Sequence, residues 1–338
     1  MILDKPITKF CSTADEIIEA VANAVENDVI GVNPGVYEFI GGHKVIFKSK
    51  RNVTLRSFSG NADEVVFKGG GFHKKNGYRQ TPTDEPISIL SDNDGVTVRG
   101  ITIRDSNCHG VKVAGEGNNA NITIDGCKFI NICERKIKGS AGGGTMVKNM
   151  TITNNYFEDN QIPVESDHMA DFAGDYIAGI DMMVLDGAYI ADNRFVNIRG
   201  KHAGARGAIF IWVGSKNVVA EKNIIFNCDR GVCFGNPGST SVTDGNSPRY
   251  VDGGIIRNNI ITGHASPAIE IAHTNNVTVC NNIVLTHADN RGISEVTLSK
   301  EKLSTGLKIH NNIVRGEINA EGAEICNNIT GEATANLW

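Results

Sequence analysis

Three stretches near the end of the chain decide the fold: NVTVCNNIVLTH (276–287), GLKIHNNIVRGE (306–317) and GAEICNNITGE (322–332). Each alternates apolar and polar residues, continues through a pair of asparagines, and returns to apolar residues. An alternation with a period of two predicts a strand, a bend and a second strand. Earlier stretches repeat the pattern, the last two more loosely: 121–132, 149–160, 187–198, 217–228, 253–264, 52–58 and 95–106.

One asparagine recurs at the bend of each copy, and we expect these side chains to form a hydrogen-bonded column. The bend positions are Asn155, Asn193, Asn223, Asn259, Asn282, Asn312 and Asn328, with Gly100 and Gly126 in the corresponding earlier position. Asparagine and glycine tolerate left-handed backbone angles, and stacked amides bond to one another. One coil cannot bury its own apolar face, whereas stacked coils bury a continuous core. The repeat therefore predicts an all-β fold, a parallel β-solenoid.

Composition sets limits on the class of protein. The chain has 338 residues, 40% of them hydrophobic and 6% aromatic, which excludes a wholly disordered chain. A net charge of −5 argues against general nucleic-acid binding, and the sequence contains no apolar run long enough to span a membrane. The eight cysteines lack metal-finger spacing, so we expect free thiols. The start, MILDKPITKF, lacks the features of a secretory signal, and the compartment stays open.

The N-terminal region predicts a helix that caps the solenoid. TADEIIEAVANAVEND (13–28) is amphipathic and opens with a Thr13–Glu16 capping box, and VIGVNPGVY (29–37) follows it. We predict one domain over 1–338, with this cap helix at 13–28 and coils over 52–332. A helix here would cover an open strand edge.

These features resemble a known family. The cap helix, the NPGVY turn, the asparagine-bearing coils and segments such as GEGNNANITIDGCKFINICERKIKGS (115–140) and AIFIWVGSKNVVAEKNIIFNCDRGVCFG (208–235) resemble right-handed parallel β-helix proteins of the pectin-lyase-like superfamily. The resemblance covers nearly the whole chain. That superfamily includes polysaccharide lyases, glycoside hydrolases, uronan epimerases and proteins without known activity, so the resemblance predicts the fold more closely than the reaction.

Insertions between coils predict where a site lies. The ladder asparagines are 38, 30, 36, 23, 30 and 16 residues apart, and the excess length falls at 161–179, 199–207 and 236–254, with an earlier long loop at 69–86. We expect 161–179 and 199–207 to leave the same corner. On the neighbouring strands, alternation predicts one inward and one outward column. The inward residues are Val111, Ile137, Ile180, Ile209, Val232 and Ile269, and the outward residues are Lys112, Lys138, Asp181, Phe210, Cys233 and Glu270.

Basic side chains near this corner suit an anionic polysaccharide. Cleavage of a uronic-acid polymer (alginate, pectate or glucuronan) by β-elimination needs a cation that neutralises the carboxylate, a base and an acid. By the resemblance, we assign Lys201 as base, Arg206 and Lys138 as neutralising cations and Tyr176 as acid; exchanging Lys138 and Lys201 is nearly as plausible. The predicted substrate-binding residues are His202, Arg230, Trp212, Asp181 and Lys112.

Several alternatives stay open at this stage. Asp181 could orient Lys138, hold a cation or belong to an acid pair, and Trp212 could be a sugar platform or be shielded by a loop. Asp175, Asp181 or Asp186 could serve a glycoside hydrolase; a uronan C5-epimerase or a non-catalytic carbohydrate-binding solenoid is also compatible. Some relatives use Ca²⁺, so calcium is a candidate cofactor without an evident acidic cluster, and His168 with Asp171 is a weaker metal-ligand pair. We expect a monomer.

Overall fold

The chain winds into a parallel β-helix, as the repeat predicts. The computed structural model describes residues 5–169, 172–237, 249–287, 291–297 and 303–331; Asp171 and most of the insertion 236–254 lie outside these ranges. Three parallel sheets of 14, 11 and 10 strands run along the described chain, and each coil contributes a strand to each sheet in turn. No helix among the described residues has the length and apolar character needed to cross a membrane.

The strands are numbered in chain order. Sheet 1 contains β1 (Lys9–Cys11), β2 (Val29–Val32), β5 (Thr54–Ser57), β8 (Thr97–Arg99), β11 (Thr123–Asp125), β14 (Val147–Lys148), β15 (Thr151–Thr153), β18 (Leu185–Asp186), β19 (Tyr189–Ala191), β22 (Ser215–Glu221), β25 (Val251–Arg257), β28 (Thr274–Cys280), β31 (Lys308–His310) and β34 (Glu324–Cys326). Sheet 2 contains β3 (Gly35–Glu38), β6 (Val65–Lys68), β9 (Thr102–Ser106), β12 (Lys128–Ile132), β16 (Tyr156–Glu158), β20 (Arg194–Val196), β23 (Ile224–Phe226), β26 (Ile260–Gly263), β29 (Ile283–Thr286), β32 (Ile313–Arg315) and β35 (Ile329–Thr330). Sheet 3 contains β4 (Val45–Phe47), β7 (Ile87–Ile89), β10 (Val111–Val113), β13 (Arg135–Gly139), β17 (Ala178–Met183), β21 (Ile209–Trp212), β24 (Val232–Phe234), β27 (Ile269–Ile271), β30 (Arg291–Glu295) and β33 (Glu317–Asn319). Short 3-10 helices cover Ala62–Glu64, Gly115–Gly117 and Glu165–Asp167.

The core is a column of apolar side chains that stack coil upon coil. Phe129, Phe157 and Phe195 are register partners in sheet 2, and their rings stack with centroids 4.9 and 4.5 Å apart. The predicted inward residues of sheet 3 are all buried. All eight cysteines are free thiols, as expected, and only Cys326 is exposed. Because each coil adds its apolar residues to its neighbours, the core runs the length of the solenoid.

The asparagine column is confirmed. Each side-chain amide from Asn155 to Asn312 donates to Oδ1 of the next asparagine over 2.9 to 3.0 Å, and the column ends at Asn328. The same Oδ1 atoms also accept the backbone N–H of the preceding asparagine in the column, as Asn223 Oδ1 does from Asn193. The ladder therefore satisfies buried backbone groups as well as its own amides.

The expected left-handed position was wrong by one residue. The positive φ angle belongs to the residue before each ladder asparagine, for example Asn154 (φ 56°) and Lys222 (φ 54°). Gly126 (φ 62°) is therefore equivalent to Asn154, and Cys127 occupies the ladder position, where its backbone N–H donates to Asn155 Oδ1. Glycine supplies the turn in the early coils, but it cannot extend an amide ladder.

The cap helix is shorter than predicted. Helix α1 covers Ala14–Ala22, with Thr13 as its N-cap and Ile17 and Val21 buried. The helix ends before Val25, which is largely exposed, because the Asp28 carboxylate accepts the Val25 backbone N–H in the turn that leads into β2. The predicted capping box is half formed: Thr13 Oγ1 accepts from Glu16 N, whereas Glu16 Oε2 accepts from the backbone N–H of Ser12, one residue before the N-cap.

The long loops share a corner, as expected for the first two insertions. Residues 69–86, 161–179 and 199–207 all connect a strand of sheet 2 to a strand of sheet 3. Asp167 ties two of these loops together: its carboxylate accepts from His73 Nδ1 (2.7 Å) and from the backbone N of Lys74 (2.8 Å). The loops therefore cover the beginnings of the strands in sheet 3.

Candidate active site

The outward column of sheet 3 has the predicted register. Lys112, Lys138, Asp181, Phe210, Cys233 and Glu270 are successive strand partners from β10 to β27. The column is less exposed than alternation alone suggests, since Phe210 is 1% and Cys233 0% exposed. Loops at the shared corner shield it, and polar groups in it must therefore find protein partners.

Asp181 is the centre of one charge cluster, which we call the Asp181 centre (Asp181, Lys138, Arg135 and Trp212). Its carboxylate lies 2.9 Å from Lys138 Nζ, 2.8 Å from Arg135 Nε and 3.0 Å from Trp212 Nε1. Burial by itself raises the pKa of Asp181, but the charges of Lys138 and Arg135 outweigh burial and hold the pKa below its ordinary value. Two cations share one carboxylate, so the centre carries a surplus positive charge.

Tyr176 lies against this centre. The guanidinium carbon of Arg135 is 3.9 Å from the centroid of the Tyr176 ring, and Phe172 packs on the same ring with centroids 4.9 Å apart. Tyr176 is half-buried. The loop 161–179 therefore places a phenol directly over a cation of the Asp181 centre.

Lys201 and His202 are the exposed members of the predicted set. Lys201 Nζ lies 3.0 Å from Glu165 Oε1, an ion pair in which both side chains are exposed. The backbone N–H of His202 donates to Asp175 Oδ1 (2.9 Å), and its ring Nδ1 lies 3.4 Å from Asp175 Oδ2. Because Asp175 immediately precedes Tyr176, this contact joins the loop of Lys201 to the loop of Tyr176.

Arg206 lies away from Lys138, contrary to the single cluster assumed from the sequence. Its Nη2 donates to Glu270 Oε1 (2.7 Å), and its guanidinium lies over the Phe210 ring at 4.5 Å. Arg230 Nε lies 3.3 Å from the other oxygen, Glu270 Oε2. We call Arg206, Arg230 and Glu270 the Glu270 centre. The long Arg206 side chain reaches across β24 toward β27, a direction that strand alternation does not specify.

Lys112 and Trp212 flank the Asp181 centre. Lys112 is the register partner of Lys138 and is half-buried. Trp212 is also half-buried, and its indole stacks on Phe210 with centroids 5.1 Å apart. Trp212 thus donates its indole N–H to Asp181 and packs on Phe210, and part of its side chain stays accessible.

The acid pair considered for a hydrolase is separated. Asp181 belongs to β17 in sheet 3, whereas Asp186 belongs to β18 in sheet 1, where it accepts a hydrogen bond from Asn217. These two carboxylates therefore face different sides of the solenoid.

Sequence reasoning missed Arg135. Arg135 is not among the site residues predicted from the sequence, yet β13 begins at Arg135, and this side chain contacts both Asp181 and Tyr176. The sequence offers one signal for Arg135, because Glu134, Arg135 and Lys136 are three consecutive charged residues. Such runs are normally exposed, whereas all three residues are buried here.

A buried cluster beside the site does not suit a metal cation. Cys108, His109 and Glu134 bring possible ligand atoms within 4.8 Å of one another. The buried ammonium of Lys74 lies 3.2 Å from Glu134 Oε1. Burial, together with neighbouring lysine and arginine cations, lowers the pKa of His109 well below its ordinary value. A positive potential that opposes a proton also opposes a metal ion.

Calcium fits the Asp181 centre no better. Ca²⁺ takes about six to eight oxygen ligands, and carboxylates supply most of its charge compensation. The Asp181 carboxylate already forms ion pairs with Lys138 and Arg135 and accepts a hydrogen bond from Trp212. The donor set around Asp181 thus does not suit a calcium ion, and we assign no step to calcium.

Known proteins share this fold. No curated protein sequence matches the chain. Among solved structures, the alginate lyase from Paenibacillus sp. str. FPU-7 has a TM-score of 0.58 at 14% identity, over 96% of this chain and 99% of that chain. The endo-xylogalacturonan hydrolase from Aspergillus tubingensis has a TM-score of 0.63 at 12% identity, over 95% and 91%. The pectate lyase Pel9A has a TM-score of 0.53 at 11% identity, over 96% and 80%.

At these identities the likeness shows the shared fold and leaves the reaction open. The family model described as "Right handed beta helix region" matches residues 87–314, which is more than half of the chain. The chain therefore belongs to the right-handed β-helix family.

Proposed function

We propose that the protein cleaves a polysaccharide containing uronic acids by β-elimination. The observation that carries the proposal is the Asp181 centre, in which Lys138 and Arg135 share one carboxylate below a half-buried tyrosine. A fixed surplus cation in a shielded position would pair with a substrate carboxylate and make the adjacent C5 proton more acidic.

The step balances with groups of this chain. A base takes the C5 proton, its electron pair forms the C4–C5 double bond, and the C4–O bond breaks. An acid then gives a proton to the leaving oxygen. We assign Lys138 and Arg135 to the carboxylate, Lys201 to the base and Tyr176 to the acid. Arg206 is left out of the chemical step because it pairs with Glu270.

The exchange of Lys138 and Lys201 is disfavoured by their partners. Lys138 pairs with the buried Asp181, which stabilises the charged ammonium. Lys201 pairs with the exposed Glu165, and exposed ion pairs contribute little. Lys201 is therefore freer than Lys138 to leave its partner and approach the C5 proton of a bound substrate. His202, beside Asp175 on the same loop, we keep as a substrate-binding residue.

The similar folds support a polysaccharide substrate but do not distinguish elimination from hydrolysis. Similar folds belong to an alginate lyase and a pectate lyase, and also to a xylogalacturonan hydrolase. The separation of Asp181 from Asp186, and the lowered pKa of Asp181, argue against a hydrolytic acid pair formed by these two residues.

The test is incubation with alginate, pectate and glucuronan while ultraviolet absorbance records the unsaturated uronate. We expect absorbance to rise with one polymer, and Lys201→Ala to slow it by about 10²-fold or more. Lys222→Ala is the matched control, since Lys222 also pairs with a glutamate but lies in the turn that follows β22 of sheet 1.

Two results would overturn the proposal. New reducing ends without unsaturation would indicate hydrolysis, and a changed uronate configuration without cleavage would indicate epimerisation. Equal rates for Lys201→Ala and Lys222→Ala would remove Lys201 as the base even if elimination occurs.

A further inference from the structure

The Glu270 centre repeats the charge arrangement of the Asp181 centre elsewhere on the same column. Arg206 and Arg230 contact different oxygens of one carboxylate, over 2.7 and 3.3 Å. Glu270 is 3% exposed, whereas the two arginine side chains are 17% and 21% exposed. Two guanidinium groups thus share one buried anion and remain partly accessible, leaving one positive charge in surplus.

Some N–H donors of the arginines in the Glu270 centre have no hydrogen-bond acceptor among the described residues. Arg206 Nη2 also donates to Gly235 O, and Arg230 Nη1 donates to Ala205 O, so these nitrogens are occupied. The Nε atom of Arg206 is buried without a hydrogen-bond partner among the described residues. A guanidinium has five N–H donors, and buried donors are normally paired. An anion held between the two arginines would use the terminal N–H groups that the bonds of Arg206 Nη2 and Arg230 Nη1 leave over.

The two centres are aligned along the solenoid axis. Asp181, Phe210, Cys233 and Glu270 are successive register partners, so three strand separations of about 4.8 Å place the centres about 14 Å apart. Trp212 follows Phe210 by two residues on β21, stacks on its ring and is half-buried. A partly accessible aromatic side chain therefore lies beside the line that joins the two centres.

We propose that the Glu270 centre binds a second carboxylate of the same polyuronate chain, while Trp212 contacts the sugars between the two carboxylates. This inference rests on the proposed function for its ligand class but concerns binding, not the chemical step. It explains why Arg206 lies away from Lys138. Two linked contacts raise the affinity for chains long enough to span both centres and leave the shortest chains unaffected.

The experiment measures binding of a size series of oligouronates by calorimetry, with Lys201→Ala as the background that suppresses cleavage. The series is prepared from alginate, pectate and glucuronan, from the dimer upward. In that background, Arg230→Gln should weaken binding of the long oligomers about tenfold and leave the dimer unchanged. Arg257→Gln is the matched control, because Arg257 pairs with Glu221 in sheet 1. It should change neither.

A second variant protects the test against a local folding defect. Arg230 also bonds to the backbone of the loop 199–207, so Arg206→Gln, which lacks those bonds, should give the same length dependence. Equal loss at every length, or no loss with long oligomers in either variant, overturns the inference.

The outcomes separate this inference from the proposed function. Unsaturated product from the unmodified protein, with no length-dependent effect of either arginine variant, leaves the elimination standing and refutes the second subsite. The length-dependent loss without any unsaturated product supports the subsite and refutes the elimination. Absence of binding by every oligomer refutes both.

Discussion

Replacing Asn223 with alanine tests whether the asparagine ladder stabilises the solenoid. Asn223 is fully buried; its amide donates to Ile190 O (3.1 Å) and Asn259 Oδ1 (3.0 Å). Its Oδ1 accepts from the backbone and side-chain nitrogens of Asn193. Asn223→Ala therefore leaves two donors of Asn193 without partners and removes one of the donors that the carbonyl of Ile190 accepts.

The magnitude follows from those orphaned groups. Each buried unsatisfied group costs about 1–3 kcal/mol, so two of them lower the free energy of unfolding by about 2–5 kcal/mol once partial relaxation is allowed for. Asn328 makes the same kinds of bonds at the end of the ladder, but it is half-exposed. Water can replace its partners, and Asn328→Ala should cost about 1 kcal/mol or less.

The assay is urea denaturation of both variants, followed by circular dichroism, with amide hydrogen exchange to locate the change. Exchange should accelerate first at the coils on either side of Asn223, because coils interact mainly with their neighbours. If Asn223→Ala is no more destabilising than Asn328→Ala, the ladder does not stabilise the fold as argued, and its bonds only replace those that water would make.

Two further predictions concern buried charge. Burial lowers the pKa of His168 to about 4 from 6.5, so between these values the unfolded chain binds a proton that the folded chain does not. Stability is then full above about pH 6.5, and about 3 kcal/mol is lost as the pH falls to about 4; His168→Leu should remove this loss in denaturation measured across that range. Lys136 forms a fully buried ion pair with Asp159, so Lys136→Met alone should cost about 3–5 kcal/mol, and Lys136→Met with Asp159→Leu much less, in the same denaturation assay.

Each of these two predictions has a result that would contradict it. An unchanged slope of stability against pH in His168→Leu would show that another group titrates in that range; His202→Leu, at an exposed position, serves as the control. A double variant as unstable as Lys136→Met alone would show that lost packing, not an uncompensated carboxylate, causes the destabilisation.

The repeat predicted the architecture well because it is local. Alternation, bend and asparagine recur in each coil, and the inward residues of sheet 3, such as Ile137 and Ile180, are buried as expected. Lys138 and Asp181 are strand partners, as the same pattern predicted. The errors are also local: the turn residue is Asn154 and not Asn155, since sequence similarity does not show which of two adjacent asparagines has a positive φ.

The candidate site was less predictable because its contacts cross coils. The direction of Arg206 depends on the position of Glu270, 64 residues later, and the role of Arg135 depends on Asp181 and on the Tyr176 loop. The partners of long flexible side chains depend on which opposite charges lie near them in the folded protein and on how well those charges are shielded from water. The spacing of residues along the sequence does not show either. The shielding itself comes from loops that meet through Asp167.

By itself, the sequence determined that the chain stacks coils, where the column of amides runs, and which strand faces meet the core, because each coil carries the same period-two pattern and an asparagine at its bend. Only the tertiary structure decided that Lys138 pairs with Asp181, whereas Arg206 and Arg230 pair with Glu270. The physical reason is that a carboxylate shielded from water is stabilised by the cations that lie closest to it in the folded protein. Which cations are closest depends on how the coils stack and not on distance along the chain.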